Sequence, residues 1–87
     1  MILNRTERFV RDYLSLPPDV RKGAAKQIAQ LLLDHTHPSL RLEGIAGHPG
    51  LFSARVNDRY RMSLQFQGRD MVLLRRVLDH GELYRTP

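Results

Sequence analysis

Arg55 and Arg61 flank one hairpin tip in the run Ala54-Arg55-Val56-Asn57-Asp58-Arg59-Tyr60-Arg61. Phe52, Ala54 and Val56 alternate with polar residues, as do Tyr60, Met62, Leu64 and Phe66. Such alternation marks half-buried strands. Both apolar sets face one core only if the turn is centred on Asp58, with Val56 opposite Tyr60. A two-residue Asn-Asp turn would set Val56 against Arg59 instead. The accepted register puts Arg55 directly across from Arg61 on the other face, where like charges destabilise a sheet pair. Two guanidinium forks held side by side suit a phosphate or a carboxylate.

A third apolar run, Met71–Leu78, follows Gln67-Gly68-Arg69-Asp70. A two-residue Gly68-Arg69 turn predicts Phe66 opposite Met71, Leu64 opposite Leu73 and Arg61 opposite Arg76. Continued alternation leaves His80 on the face of Arg76, with Tyr84 nearby and Ser53 and Gln65 on the same face. The candidate site is therefore Arg55, Arg61, His80 and Tyr84, with Arg59 and Arg76 as flanking substrate contacts. Histidine exchanges protons near neutrality, so His80 suits acid or base work. Tyr84 could stack on a base or orient a phosphate. Arg75 and Arg76 also suit contacts to a protein partner. His35-Thr36-His37 has the look of a metal-ligand pair, but no third ligand has matching spacing, and no metal or cofactor is expected.

These residues need a frame. Met1–Asn4 suits a short first strand, and Asn4-Arg5-Thr6-Glu7 carries a helix-capping pattern with Thr6 as an alternative cap. Phe9, Val10, Tyr13 and Leu14 recur at helical spacing up to about Ser15, where Leu16-Pro17-Pro18 stops the helix. Pro18 suits the first position of a second helix to about Asp34, striped by Val20, Ala24, Ile28, Leu31 and Leu32. Residues 35–50 read as a loop tethered by Leu40, Leu42 and Ile45. Strands follow over about Leu51–Val56, Tyr60–Phe66 and Met71–Leu78, the last apolar on both faces and so central. The predicted fold is α+β: a small antiparallel β-sheet packed by two N-terminal helices, as one domain over residues 1–87.

Composition narrows the partners. The chain carries 14 basic and 9 acidic residues, for a net charge of +5. Twelve of the basic residues are Arg, and six of them (55, 59, 61, 69, 75, 76) crowd the segment 55–76. That concentration suits a phosphate-binding face or a dock for an acidic protein. There is no Cys, which removes disulfides and thiolate zinc sites. No apolar run is long enough for a membrane span or a signal peptide, so a cytoplasmic protein with no membrane partner is expected.

The ordered set of segments resembles the RelE/ParE toxin superfamily, and in particular RelE-like toxins of bacterial type II toxin–antitoxin systems. The resemblance rests on Phe9…Leu16-Pro17, His37-Pro38-Ser39-Leu40-Arg41-Leu42-Glu43, Gly50-Leu51-Phe52-Ser53-Ala54-Arg55-Val56, Tyr60-Arg61 and His80-Gly81-Glu82-Leu83-Tyr84. It implies a metal-free mRNA endonuclease acting on the ribosome, neutralised by a cognate antitoxin with an acidic or amphipathic segment in a hetero-oligomeric complex. It also implies site positions at Arg55, Arg61, His80 and Tyr84. Members of this type carry lysines around the site. This chain has none after Lys26, which brings His80 forward as a candidate base. Two rival readings share the fold: a ParE-like inhibitor that binds DNA gyrase without chemistry, and a degenerate module that only binds its antitoxin.

Overall fold

Thr6 is where the first strand becomes the first helix. In a computed structural model of residues 1–87, β1 (Ile2–Arg5) ends and α1 (Glu7–Ser15) begins around this one residue. The Thr6 hydroxyl donates to the Arg75 carbonyl at 2.8 Å and accepts the Phe9 N–H at 3.0 Å. One side chain thereby ties β1 to the sheet and satisfies an orphan amide of the helix. Leu16 and Pro17 are extended, and α2 (Pro18–Leu33) starts with Pro18 at its first position.

The buried stripe of α2 is Val20, Ala24, Gln27 and Leu31. Two details differ from the sequence pattern. Leu32 is 36% exposed, whereas polar Gln27 is buried because its amide has two carbonyls to serve. A 3₁₀ turn at Pro38–Leu40 interrupts the expected loop and drives Leu40 fully into the core. A two-residue strand, β2 (Glu43–Gly44), then pairs with β3 (Leu51–Arg55). Ile45 is buried and Leu42 half-buried, as tethers should be.

β4 (Tyr60–Gln67) and β5 (Met71–Asp79) complete a five-stranded sheet in the order β1-β5-β4-β3-β2. β1 lies parallel to β5 and the other pairings are antiparallel, so the sheet is mixed at one edge. β5 is an interior strand, as its two apolar faces require. Phe9, Leu31, Ala54, Met62, Leu64, Val72, Leu74 and Val77 form the centre of the core between the sheet and the two helices. Truncating any of these leucines to alanine should cost about 3 kcal/mol.

The first hairpin has the expected register, with Arg55 paired to Arg61 and Ala54 to Met62. Asn57 closes it: its side-chain oxygen accepts the N–H groups of Arg59 and Tyr60 at 2.9 and 2.8 Å. The second hairpin corrects the predicted register. Its loop has three residues, with Gly68 at φ 69°, so Gln67 pairs with Met71 and Leu64 with Leu74. A bulge at Arg75 then shifts the pairing again. Arg76 faces Ser63, and Arg61 faces Leu78 rather than Arg76. The bulge has a clear cause: Val72, Leu74 and Val77 are all buried, and a strict alternation through Leu74 would have turned Arg76 into the core. A third helix, α3 (His80–Arg85), follows β5, over residues to which the sequence pattern had given no secondary structure. Asp79 caps it, accepting the Gly81 N–H at 3.1 Å.

Candidate active site

The sheet has two faces. One carries Ala54, Val56, Met62 and Leu64 into the core beneath the helices. By alternation the other carries Ser53, Arg55, Arg61, Ser63 and Gln65. α3 runs over part of that second face. Its Leu83 is fully buried, and its Tyr84 hydroxyl lies 3.0 Å from Ser53 Oγ. At the arginine end of the face, Arg55 and Arg61 are half-buried and are held by Asp58 and two turn carbonyls.

Arg61 is the better anchored of the opposed pair. Its Nη1 donates to the Asn57 carbonyl and, at 3.0 Å, to the Tyr60 carbonyl. These bonds hold the guanidinium against the turn without neutralising it, and Nε and Nη2 have no protein partner. Arg55 instead donates through Nη2 to Asp58 Oδ1 at 2.6 Å. That bond is the main reason the Asp58 carboxyl lies below its ordinary value, and the charges of Arg41 and Arg61 lower it further. Arg41, whose charge reaches Asp58, was not singled out from the sequence. It sits just beyond the 3₁₀ turn in a left-handed conformation, φ 44°. A visible signal was present: Arg41 lies between two tethering leucines, so its side chain had to leave the core.

His80 opens α3, and its N–H donates to the Arg59 carbonyl at 2.7 Å. Its ring meets the Tyr84 ring edge-on, with centroids 4.8 Å apart. The imidazole is exposed. The structure thus joins Arg55 to Arg61 through the strand register and His80 to Tyr84 and Ser53 through ring and hydroxyl contacts, all on one side of the sheet.

Two expected substrate contacts have protein partners. Arg59 Nε donates to Asp79 Oδ2 at 2.8 Å, which raises the arginine's pKa and lowers the carboxyl's. Its side chain is 75% exposed, so that bond is open to exchange. Arg76 is held more firmly. Nε and Nη2 grip the two oxygens of Asp12 at 2.8 and 3.0 Å, and the pair is largely buried. Asp12 also accepts the Val77 N–H at 3.2 Å, filling the β5 edge that β1 leaves free beyond Arg5. Arg76 thus clamps α1 to the sheet.

His35 and His37 diverge. The His35 ring packs edge-on against Phe66, and His37 Nδ1 accepts the Ser39 N–H at 3.1 Å. No three His, Asp or Glu side chains are grouped to hold a metal ion, and no helix is long and apolar enough to cross a membrane.

No protein-family model and no curated protein matches the sequence. Solved structures do match in shape. The chain is similar to the RelB–RelE antitoxin–toxin complex of Methanococcus jannaschii, at 23% identity and TM-score 0.73 over 97% of this chain and 98% of that one. It is similar to the YoeB/ParE toxin from Agrobacterium tumefaciens, at 16% identity and TM-score 0.78 over 92% and 99%. It is also similar to the isolated RelE toxin of E. coli, at 19% identity and TM-score 0.71 over 97% and 90%. The chain has the RelE-like toxin fold.

Proposed function

We propose, from this fold and the arginine face, that the protein is the toxin of a toxin–antitoxin pair and cleaves messenger RNA on the ribosome in the cytoplasm. The observation that carries the reading is Arg61, a guanidinium fixed to two carbonyls, unpaired with any carboxylate and set opposite Arg55. A cation so placed is preorganised for a phosphate oxygen and needs no rearrangement when charge develops.

The reaction is metal-free. The ribose 2′-OH attacks the adjacent phosphorus, a new O–P bond forms, and the bond to the 5′ oxygen breaks. A base takes the 2′-OH proton, and an acid supplies one to the leaving oxygen. The products are a 2′,3′-cyclic phosphate and a free 5′-OH. Arg61 and Arg55 offset the extra negative charge of the pentavalent state. His80 moves a proton as acid or base. Tyr84, steadied by Ser53, orients the phosphate or stacks on a base. Arg41 adds to the positive field, and Arg59 is a peripheral contact.

The partner is an antitoxin with an acidic and amphipathic segment. Charge complementarity suits the arginine face. An apolar groove lined by Leu3, Phe9, Val10, Tyr13 and Ile28, with Leu14 66% exposed at its rim, suits an amphipathic helix. Affinity for that partner should fall as salt rises. The test of the chemistry is the nature of the ends: RNA cut in a translating extract should carry 5′-OH and cyclic-phosphate termini without added metal. A folded protein that yields no cuts would shift the reading to gyrase inhibition or to antitoxin binding alone.

A further inference from the structure

Beyond the arginine face, a second depression of about 370 Å³ opens at the free edge of β3, between α2 and the 3₁₀ turn. Lys26, Gln27 and Gln30 line it from α2, His37 and Ser39 from the turn, and Arg55 with Val56 from the strand end. Its floor is a built feature. Gln27 donates through Nε2 to the Ser39 carbonyl at 3.0 Å and to the Arg55 carbonyl at 2.8 Å. One buried amide therefore stitches the turn to the strand where β2 no longer pairs.

The rim is made of donors. Lys26 has no carboxylate within ion-pair distance, and no acidic residue lines the depression. His37 Nδ1 already accepts the Ser39 N–H. The ring proton of neutral His37 therefore sits on Nε2, free to donate outward. Gln30 lies one turn from Lys26 on the same side of α2. Pockets for apolar ligands are lined mainly by hydrophobic side chains. Here Val56 is the one hydrophobic residue in the lining.

We infer that this depression seats a flanking phosphodiester of the same RNA strand whose scissile phosphate lies between Arg55 and Arg61. The inference rests on the RNA-cleaving reading above. Arg55 belongs to both places, so a strand leaving the arginine pair over the β3 edge arrives at Lys26. Lys26 supplies the charge, and Gln30 and His37 supply neutral donors to phosphate or a base edge. An acidic polypeptide is the other occupant such a rim could attract. The continuity with the arginine pair favours the nucleic acid.

The experiment measures binding of a short fluorescein-labelled single-stranded RNA to the full chain in the Arg61→Ala background, which keeps the probe intact. Lys26→Ala should weaken binding about fivefold and lower the log–log salt slope by about 1. Gln30→Glu should weaken it as well. Lys22→Ala, which removes an equal charge from α2 outside the depression, should change neither quantity. Absence of RNA binding, or equal effects of Lys26→Ala and Lys22→Ala, overturns the inference. A Lys26-dependent loss for polyglutamate but not for RNA also overturns it and assigns the depression to an acidic polypeptide. Cleavage in a translating extract that needs Arg61 but is untouched by Lys26→Ala leaves the function standing and removes only the flanking subsite.

Discussion

Arg55 and Arg61 face each other across the first hairpin, and only Arg55 has a carboxylate for a partner. Opposed like charges cost stability on a sheet. The cost is met locally by Asp58, which lies at the tip of the same turn and holds Arg55 at 2.6 Å. Arg61 is left to two carbonyl oxygens. The hairpin thus keeps one arginine charged and available, and the other behind an exposed carboxylate that a substrate phosphate can displace.

Asp58→Asn should therefore raise RNA affinity about threefold by releasing Arg55 and removing a negative charge from the site. Fluorescence anisotropy with a single-stranded RNA in the Arg61→Ala background measures this. Unchanged or weaker binding would mean that Asp58 does not compete with the substrate.

Acid should destabilise the fold through three exposed carboxyls. Asp34, Asp58 and Asp79 all lie below the ordinary aspartate value of 3.8, chiefly through hydrogen bonds from Thr36, Arg55 and Arg59 respectively. A group with a lowered folded-state pKa stabilises while ionised. That contribution is complete above the unfolded value and is lost as pH falls through the folded one. Thermal melts should show Tm insensitive to these groups between about pH 5 and 7 and falling below about pH 4. Asp58→Asn should lose less Tm than the parent over that acid range.

The Asp12–Arg76 pair should be a stability element. Asp12→Ala leaves Arg76 without its partner and the Val77 N–H without an acceptor. Urea unfolding should show a loss of about 3 kcal/mol. Arg76→Ala should cost a similar amount. An Arg76→Ala protein of parental stability but weak RNA binding would return Arg76 to the substrate site.

His80 and Tyr84 should separate by the size of their effects. His80→Gln should slow cleavage about 100-fold, because the group that moves a proton is gone. Tyr84→Phe keeps the ring contact with His80 and loses only the bond to Ser53. Its rate should fall about tenfold or less. A parental cleavage rate in His80→Gln would remove His80 from proton transfer.

The first hairpin was legible because its two alternating apolar sets face one core only with the turn centred on Asp58. The helices were legible from Thr6, Pro17, Pro18 and their apolar spacing. The second hairpin was not, because Met71–Leu78 is apolar on both faces and no residue type marks the bulge at Arg75. α3 was missed because its six residues carry too little periodicity; its cue was Asp79 as a cap two residues before Gly81. Gln27 and Asp12 were missed for a shared reason. Each is a polar side chain whose partners lie far along the chain, two backbone carbonyls for Gln27 and the Arg76 guanidinium with the Val77 N–H for Asp12, and nothing local announces them.

The most direct measurement is a map of mRNA 5′ ends in a bacterial translation extract, with the protein and with its Arg61→Ala variant. New ends should arise within translated regions and fall at least about 100-fold in the variant. Arg61→Lys should recover little, because a point charge replaces the anchored fork. No new ends from protein shown to be folded and free of antitoxin, or ends that persist in Arg61→Ala, would contradict a ribosome-dependent nuclease centred on Arg61.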